Sequence, residues 1–412
     1  MKDGPEARPR GPIPIEEIQA ARERIAGFVH RTPLLRLDGD DAPAEIYLKL
    51  ENLQPVGSFK LRGASNAMLA MPRERLDRGV WTASAGNMAQ GVAWQARRLG
   101  LRCKVVAPDH APEAKLGAIR RLGGQVVLAP FQQWFEILRT HTFDGMSGQF
   151  IHPVSDPAVM AGNGTIALEI LEDLPGVDAL VVPYGGGGLS CGIASAIRAL
   201  APRVRVYACE VETAAPLAAS LAAGAPTPID YRASFVDGIG GPFVLPDMWP
   251  LASRLLDGSL VVSLAEVADA IRLLAMRQRV IAEGAGAAPL AAALAGKAGR
   301  GKVACIVSGG NIDPAKLAKI LAGGMPWARA GTERGRSASP AAITSAGRRS
   351  SRMGDPSRPR TSIRTRSPYA SAATGTRSST TTWRSMPGPA RSSPRTGEDR
   401  SDRGAAGSGG RD

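Results

Sequence analysis

Lys60 is the residue of this chain whose surroundings most favour covalent chemistry. It stands between Phe59 and Leu61, within the run ENLQPVGSFKLRGA of residues 51–64. A lysine amine removed from water loses its preference for the charged form, and the neutral amine can condense with a carbonyl to give a Schiff base. A single lysine at the start of a helix is more often an exposed surface residue. Lys60 therefore becomes a catalytic candidate only through the other motifs of the chain.

Three further loops follow predicted strands and lead into predicted helices. The loop SAGN (84–87) presents small residues and backbone N–H groups at a helix N-terminus, which suits an anion such as a carboxylate. The loop GGGG (185–188) leaves several N–H groups open to a phosphate, although four glycines can also form a flexible linker. It lacks the Lys-Ser/Thr of a P-loop and the GxGxxG spacing of a dinucleotide-binding fold. In SGGN (308–311), Ser308 stands at a strand end, from which its hydroxyl could point into a cleft.

The elements that must position these loops alternate along the chain. Short β-branched runs predict strands, and the stretches between them have apolar residues at helical spacing. The predicted strands are Glu45–Lys49, Gly79–Thr82, Lys104–Ala107, Gln125–Leu128, Ala179–Pro183, Val204–Cys209 and Lys302–Val307. The predicted helices include Ile15–Phe28, Met88–Leu99, Glu113–Leu122, Leu189–Leu200, Leu264–Arg279 and Pro314–Leu321. This alternation predicts parallel sheets covered by helices, with a site at the carboxyl ends of the strands.

The net charge of +14 is concentrated at the C-terminal end. Residues 327–412 contain 17 Arg, no Lys and six acidic residues, which leaves 34 basic and 31 acidic residues for positions 1–326. This Arg/Ser/Pro-rich segment has no apolar periodicity, so we predict a disordered tail. Arginine runs bind phosphate, which keeps nucleic-acid binding by the tail as an alternative function. The abrupt absence of lysine favours a non-functional extension, such as sequence translated out of frame.

The cysteines and the N-terminus indicate the compartment. Cys103, Cys191, Cys209 and Cys305 are far apart in apolar surroundings, and their spacing fits neither a metal site nor a redox motif. We therefore predict buried free thiols in a reducing cytoplasm. The N-terminal residues lack the apolar segment of a signal peptide, and no stretch of about 18 apolar residues indicates a membrane span. These features predict a soluble cytoplasmic protein.

Taken together and in order, the motifs resemble those of the fold type II pyridoxal-phosphate enzymes, most closely the serine/threonine dehydratases and serine racemases. The resemblance covers about residues 15–325. It is carried by RTPL (31–34), ENLQPVGSFKLRGA (51–64), SAGN (84–87), GGGGL (185–189), EGAGA (283–287) and SGGNID (308–313). It implies an α/β fold with two open, mostly parallel twisted sheets covered by helices, similar to the tryptophan synthase β-subunit.

The resemblance also implies a domain organisation. A flexible N-terminal arm (1–14) would precede a large cofactor-binding domain built from residues 15–67 and 160–326. A small mobile substrate domain (68–159) would be inserted between these two parts, and the tail (327–412) would follow. The enzyme would act as a homodimer or homotetramer on a small amino-acid substrate.

The same resemblance assigns roles to individual residues. Lys60 would form the Schiff base with pyridoxal 5'-phosphate and then act as the base at the substrate Cα. The substrate would be bound by Ser84, Ala85, Gly86 and Asn87. The cofactor would be bound by Phe59, Lys60, Asn87, Gly185, Gly186, Gly187, Gly188, Leu189, Glu283 and Ser308.

The implied reaction is the dehydration and deamination of L-threonine or L-serine to a 2-oxo acid and ammonia. Ser308 would face the pyridine nitrogen, which a serine cannot protonate as an aspartate would, and this favours β-elimination over transamination. The resemblance leaves a serine racemase and a β-replacement enzyme as alternatives within the same fold.

Departures from the family pattern refine these expectations. Ala85 stands where serine racemases place a serine that reprotonates the opposite face, so racemisation should be weak. Glu210 matches an acidic cation-site position, but Pro216 cannot supply the second acid, so no metal site is predicted with confidence. The segment DGIGGPFVLPDMW (237–249) differs from the usual family sequence near the expected position of the substrate side chain.

Overall fold

The computed structural model of the chain describes residues 11–38 and 42–326. The strands are β1 (Leu34–Arg36), β2 (Glu45–Lys49), β3 (Val80–Ala83), β4 (Cys103–Pro108), β5 (Gln125–Ala129), β6 (Gln149–Phe150), β7 (Ala179–Pro183), β8 (Arg205–Val211), β9 (Ser259–Val262) and β10 (Lys302–Ile306). The helices are α1 (Ile15–Ile25), α2 (Lys60–Leu69), α3 (Arg73–Leu76), α4 (Asn87–Arg98), α5 (Glu113–Arg121), α6 (Phe131–Thr140), α7 (Pro157–Asp173), α8 (Gly188–Leu200), α9 (Pro216–Ala223), α10 (Trp249–Leu255), α11 (Leu264–Leu273), α12 (Gly284–Leu294) and α13 (Pro314–Leu321). The predicted tail and the first ten residues of the predicted arm lie outside the described residues.

The strands form two sheets. The larger sheet has the order β1-β2-β10-β7-β8-β9, and all neighbouring strands in it are parallel except β1 and β2. The smaller sheet has the order β5-β4-β3-β6 and is entirely parallel. The predicted fold class, two mostly parallel sheets with helices, is therefore confirmed.

Helices cover both faces of the larger sheet, and the central strand β7 shows why its sequence is continuously apolar. Ala179 and Val181 pack into the core on one side with residues of α11 and α12. Leu180 and Val182 pack on the other side with residues of α7 and α8. A parallel strand buried on both faces has no solvent side on which polar residues would be placed.

Most strand predictions agree with the structure to within two residues, but three strands were missed and two predicted helices end differently. The helix predicted as Ile15–Phe28 ends at Ile25. β1, β6 and β9 were not predicted, because each has only two to four residues and lacks a clear alternating pattern. The predicted helix Leu264–Arg279 is α-helical as far as Leu273 and continues as a π-helical turn over Leu274–Gln278. Arg279 ends this turn in the left-handed conformation, with φ of 58°, and redirects the chain towards Glu283.

A buried network of four charged side chains fixes α2 against the body of the fold. The Arg62 guanidinium donates to both Glu51 oxygens, at 2.8 Å each, and to both Glu169 oxygens, at 2.7 and 2.9 Å. Lys49 Nζ donates to Glu169 Oε2 at 2.6 Å. The two positive and two negative charges compensate each other, which makes their burial tolerable. The network ties α2 to β2 and α7, and so fixes the helix that begins at Lys60.

Other described features concern the thiols, the N-terminus and the surface. All four cysteines are buried free thiols, as predicted. Ile13 is buried and its N–H donates to Ser195 Oγ at 3.0 Å, so this end of the predicted arm packs against α8. Among the helices of residues 11–38 and 42–326, none is both long enough and apolar enough to cross a membrane.

Candidate active site

The four loops singled out in the sequence leave the carboxyl ends of β2, β3, β7 and β10 and meet at one cavity of about 380 Å³. Strand ends are where parallel α/β sheets form their sites. The cavity is lined by all of the residues predicted to bind cofactor or substrate: Phe59, Lys60, Ser84, Ala85, Gly86, Asn87, Gly185, Gly186, Gly187, Gly188, Leu189, Glu283 and Ser308.

Backbone hydrogen bonds join the loop before Lys60 to the loop around Ser308. Phe59 N donates to Ser308 O at 3.0 Å, and Gly310 N donates to Gly57 O at 2.9 Å. Lys60 begins α2 at this junction, and Ser308 follows β10. The pairing places the two side chains on the same cavity although they are far apart in sequence.

Lys60 is partly buried and has no carboxylate partner among the described residues. Its Nζ donates to Pro153 O at 2.8 Å and lies 5.1 Å from the Phe59 ring centroid. Burial lowers the pKa of Lys60 from 10.5 to about 8, since no negative charge offsets the loss of hydration. A substantial fraction of the amine is therefore neutral, and nucleophilic, near physiological pH.

The glycine loop provides unobstructed backbone donors. Gly187 has a φ of 98°, a conformation that L side chains rarely adopt, and it precedes α8 without a side-chain cap. A Cβ on Gly188 would lie 2.4 Å from Val154 O, so close packing also requires glycine there. The first N–H groups of α8 have no acceptor within the helix, and they adjoin the cavity. This donor set fits a phosphate group.

Glu283 and Asn87 form a polar pair on the cavity wall. Asn87 Nδ2 donates to Glu283 Oε1 at 2.8 Å, while Asn87 Oδ1 accepts from Asn311 Nδ2 at 2.8 Å. Burial and the charge of Asp237 raise the pKa of Glu283 to about 7, against a smaller opposing effect of Asn87. The two contacts fix the orientation of the Asn87 amide and leave its second N–H hydrogen for a ligand.

The loop of residues 84–86 ends at the N-terminus of α4. Gly86 N donates to Ser84 Oγ at 3.2 Å, and α4 begins at Asn87 without a side-chain cap. The uncapped helix N-terminus carries partial positive charge, which suits a carboxylate.

Glu210, the residue considered as a possible metal ligand, is held by donors from its own surroundings. Its Oε1 accepts from Leu217 N at 2.9 Å, and its Oε2 accepts from Ala218 N at 2.8 Å and from Ser259 Oγ at 2.7 Å. Pro216 is the first residue of α9, whose N-terminal amides make these contacts. In the part of the chain that the structure describes, no group of three or more His, Cys, Asp or Glu side chains is suited to a metal ion.

The sequence motifs missed one side of the cavity. Pro108 at the end of β4, Lys115 on α5, and Trp134 and Leu138 on α6 all line it. A signal was present, because the apolar residues of FQQWFEILRT (131–140) recur at the i, i+3, i+4 and i+7 spacing of an amphipathic helix. That pattern predicts a helix, but it does not indicate which of its residues reach a cavity.

The fold and the site define a pyridoxal-phosphate-binding enzyme of fold type II. A model of the family described as pyridoxal-phosphate dependent enzyme matches residues 25–309. The chain therefore belongs to this family.

Two named relatives indicate which type of pyridoxal-phosphate enzyme the chain is. An L-threonine ammonia-lyase of Thermotoga maritima is 41% identical over 319 residues, which cover 76% of this chain and 79% of the relative. The catabolic L-threonine dehydratase TdcB of Escherichia coli K12 is 38% identical over 318 residues, covering 75% of this chain and 96% of the relative. The chain is a pyridoxal-phosphate-dependent lyase.

Solved structures are similar as well. A maize serine racemase has a TM-score of 0.69 and 33% identity, covering 75% of this chain and 97% of its own. The processed form of threonine deaminase isoform 2 from Solanum lycopersicum has a TM-score of 0.67 and 33% identity, covering 78% and 98%. None of these comparisons supports nucleic-acid binding, and the tail on which that hypothesis depended lies outside the described residues.

The cavity fits pyridoxal phosphate. The amine of Lys60, which has no carboxylate partner among the described residues, suits the aldehyde, and the open amides of residues 185–189 suit the phosphate. Ser308 also lines the cavity and presents an uncharged hydroxyl.

Proposed function

We propose that this enzyme catalyses the β-elimination of L-threonine and L-serine, giving 2-oxobutanoate or pyruvate and ammonia. The observation that carries the proposal is the partly buried amine of Lys60, which has no carboxylate partner among the described residues and lies in the same cavity as the amide-rich loops and Ser308. The names of the bacterial relatives support the same reaction. In the overall change the Cα proton and the β-hydroxyl leave as water, and hydrolysis of the resulting imine releases ammonia.

Lys60 is the proposed base. Pyridoxal phosphate, when bound, supplies an electron-withdrawing ring that acidifies the Cα–H bond. Lys60 Nζ accepts the Cα proton, and its lowered pKa keeps the amine available for this step near neutral pH. Pro153 O, which accepts from Nζ at 2.8 Å, holds the amine in the cavity.

The other predicted site residues have binding roles in this proposal. Amides and the hydroxyl of Ser84, Ala85, Gly86 and Asn87 bind the substrate carboxylate. Phe59 packs against the cofactor ring, and Asn87 and Ser308 contact its polar atoms. The amides of Gly185, Gly186, Gly187, Gly188 and Leu189 bind the phosphate. Glu283 positions Asn87 through their 2.8 Å hydrogen bond.

A serine racemase is the second candidate, because the maize enzyme is a close structural neighbour. Ala85 disfavours it, since its methyl group cannot deliver a proton to the face opposite Lys60.

The test is to incubate the holoenzyme with L-serine and L-threonine and to measure ammonia, 2-oxo acid and D-amino acid. Elimination predicts equal ammonia and 2-oxo acid with little D-serine, whereas D-serine as the main product would favour the racemase. Product formation only with an added thiol would indicate β-replacement.

We further infer that residues 68–159 form the mobile substrate domain, and that the enzyme is a cytoplasmic homodimer or homotetramer. β3 to β6 all lie within this range. Its contacts with the segment 237–249 include the partly exposed ion pair Lys115–Asp237, at 3.0 Å. Hydrogen exchange with and without L-serine tests the motion, which should increase protection in residues 84–140 on binding. Light scattering tests the assembly.

A further inference from the structure

One wall of the cavity is made by side chains that belong to no sequence motif. Pro108 is the last residue of β4, and Trp134 and Leu138 belong to α6. Trp134 and Leu138 also pack against the apolar cluster that contains Ala83. Because Ala83 directly precedes the loop of residues 84–86, this wall lies beside the proposed carboxylate site, on the substrate side of the cavity.

The chemistry of this wall is apolar. Lys60 and Lys115 are the cations among the described residues that line the cavity. Lys115 Nζ donates to Asp237 Oδ2 at 3.0 Å, and Lys316 Nζ shares that oxygen at 3.4 Å, so Lys115 is paired and its charge is compensated in part. A second substrate carboxylate would therefore meet only a lysine that already has a carboxylate partner, and its desolvation beside the apolar side chains would be offset only in part.

A series of aromatic contacts leads from Trp134 to a second part of the chain. Its ring centroid lies 5.7 Å from that of Phe131, which lies 6.1 Å from that of Phe135. Phe135 in turn meets Phe243 edge to face at 5.7 Å. Phe243 belongs to the segment 237–249, which departs from the family pattern, so two parts of the chain converge on this side of the site. Such contacts restrict the movement of the wall.

We propose that Trp134, assisted by Leu138 and Pro108, determines specificity by contacting the β-substituent of the substrate. The wall selects 3-hydroxy amino acids with apolar β-substituents, including aromatic ones, over those with a β-carboxylate. This inference rests on the proposed function, because it concerns the same site and reaction.

The structure offers a matched pair of variants. Trp134 Nε1–H is buried and has no acceptor within the described part of the chain. Trp134→Phe therefore removes no protein hydrogen bond and retains an aromatic wall, whereas Trp134→Ala removes the wall. Trp94→Ala is a control, since Trp94 lies over the Arg98 guanidinium at 5.1 Å and does not line the cavity.

The first measurement compares kcat/KM for L-threonine, L-serine, L-threo-3-phenylserine and L-threo-3-hydroxyaspartate. The wild-type enzyme should turn over phenylserine and should favour threonine over hydroxyaspartate by about 100-fold or more. A methyl group in an apolar pocket is worth about 10- to 200-fold, so Trp134→Ala should lower the threonine-to-serine ratio about tenfold. Trp134→Phe and Trp94→Ala should keep this ratio within about threefold.

The second measurement needs no turnover. L-2-Aminobutanoate and L-alanine lack the β-hydroxyl, and their dissociation constants are obtained from the change in cofactor absorbance. The preference for aminobutanoate should also fall about tenfold in Trp134→Ala. If that variant does not fold, Trp134→Ser serves for the same comparison.

The outcomes separate this inference from the proposed function. Unchanged ratios in a folded Trp134→Ala, or hydroxyaspartate turned over within tenfold of threonine, would overturn the inference while leaving the elimination reaction intact. Amino-acid binding with the expected ratios but without ammonia release would overturn the proposed function. It would still support the role of this wall in specificity. Failure to bind any amino acid would overturn both.

Discussion

Two lysines of this enzyme with lowered pKa values, the buried Lys49 and the partly buried Lys60, lie in contrasting regions. Lys49 Nζ donates to Glu169 at 2.6 Å and to Thr32 O at 2.7 Å, within the buried ion network. Burial lowers the pKa of Lys49, and Glu169 acts against this. Lys60 Nζ donates to a neutral carbonyl, and burial lowers its pKa to about 8. The lesson is that the absence of a carboxylate partner, rather than burial alone, makes a lysine suitable for chemistry.

The glutamates of the same two regions show the same difference. Burial raises the pKa of Glu51, but Arg62 and Thr32 outweigh it and bring the pKa below its usual value. Burial and the charge of Asp237 raise the pKa of Glu283 to about 7, against the smaller opposing effects of the Asn87 amide and Lys115. The network thus holds compensated charges, whereas the cavity holds groups that change charge near neutral pH. Perturbed groups of this kind cluster at functional sites.

The largest expected effect comes from Lys60→Ala. The variant loses both the covalent attachment of the cofactor and the base, so kcat/KM should fall by about 10³-fold or more. The visible absorbance of the lysine-bound cofactor should disappear as well. Lys319→Ala, at an exposed position of α13, is the control and should match the wild type. A coloured Lys60→Ala protein with normal turnover would contradict the assignment.

The Lys49→Met variant tests whether the buried ion network around Lys49 stabilises the fold rather than takes part in the reaction. Removing one partner of a buried ion pair costs about 3–5 kcal/mol, because Glu169 loses part of its compensation. Denaturant unfolding should show this loss, while activity per folded molecule should stay within about threefold. Lys297→Met, which breaks a partly exposed pair with Glu266, should cost about 1 kcal/mol or less. A loss of activity without a loss of stability would show that Lys49 does more than support the fold.

Glu283→Gln should stabilise the apo-protein in a pH-dependent way. A carboxyl whose pKa is raised from 4.5 to about 7 on folding is destabilising once it ionises, by about 3 kcal/mol at most. The wild-type penalty grows as pH rises from 4.5 to 7 and is then complete, whereas glutamine never ionises. The free energy of unfolding of the variant should therefore exceed that of the wild type more at pH 8 than at pH 5. A difference that does not change with pH would mean that Glu283 titrates normally.

The two regions also differ in how much of them could be predicted from the sequence alone. Lys60 was predictable because its apolar neighbours and the loops SAGN, GGGG and SGGN form a recognisable set. The sheets were predictable for a similar reason, since strands such as β7 are continuously apolar and are flanked by turn residues. Local sequence specifies both features, so they can be read without knowing the packing.

Contacts between distant segments were not predictable. Nothing in the strand sequence EIYLK indicates that Lys49 meets Glu169, 120 residues later in the chain. The acceptor of the Lys60 amine, Pro153 O, and the wall at Trp134 likewise depend on how the smaller sheet packs against the larger one. These contacts decide which buried charge is compensated, and a pattern in one segment does not contain that information.

The smallest expected effect tests directly whether the pKa of Lys60 is lowered, as expected for an amine without a carboxylate partner. Cofactor attachment requires the neutral amine, whose fraction rises with pH and reaches half at the pKa. With a pKa of about 8, the attachment rate of the apo-protein should rise up to pH 8 and then increase only about twofold further by pH 10. A lysine of ordinary pKa would instead gain roughly 70-fold over that last interval. Stopped-flow absorbance from pH 6 to 10 measures the difference, and a steep rise above pH 9 would mean that Lys60 is as well compensated or hydrated as a surface lysine.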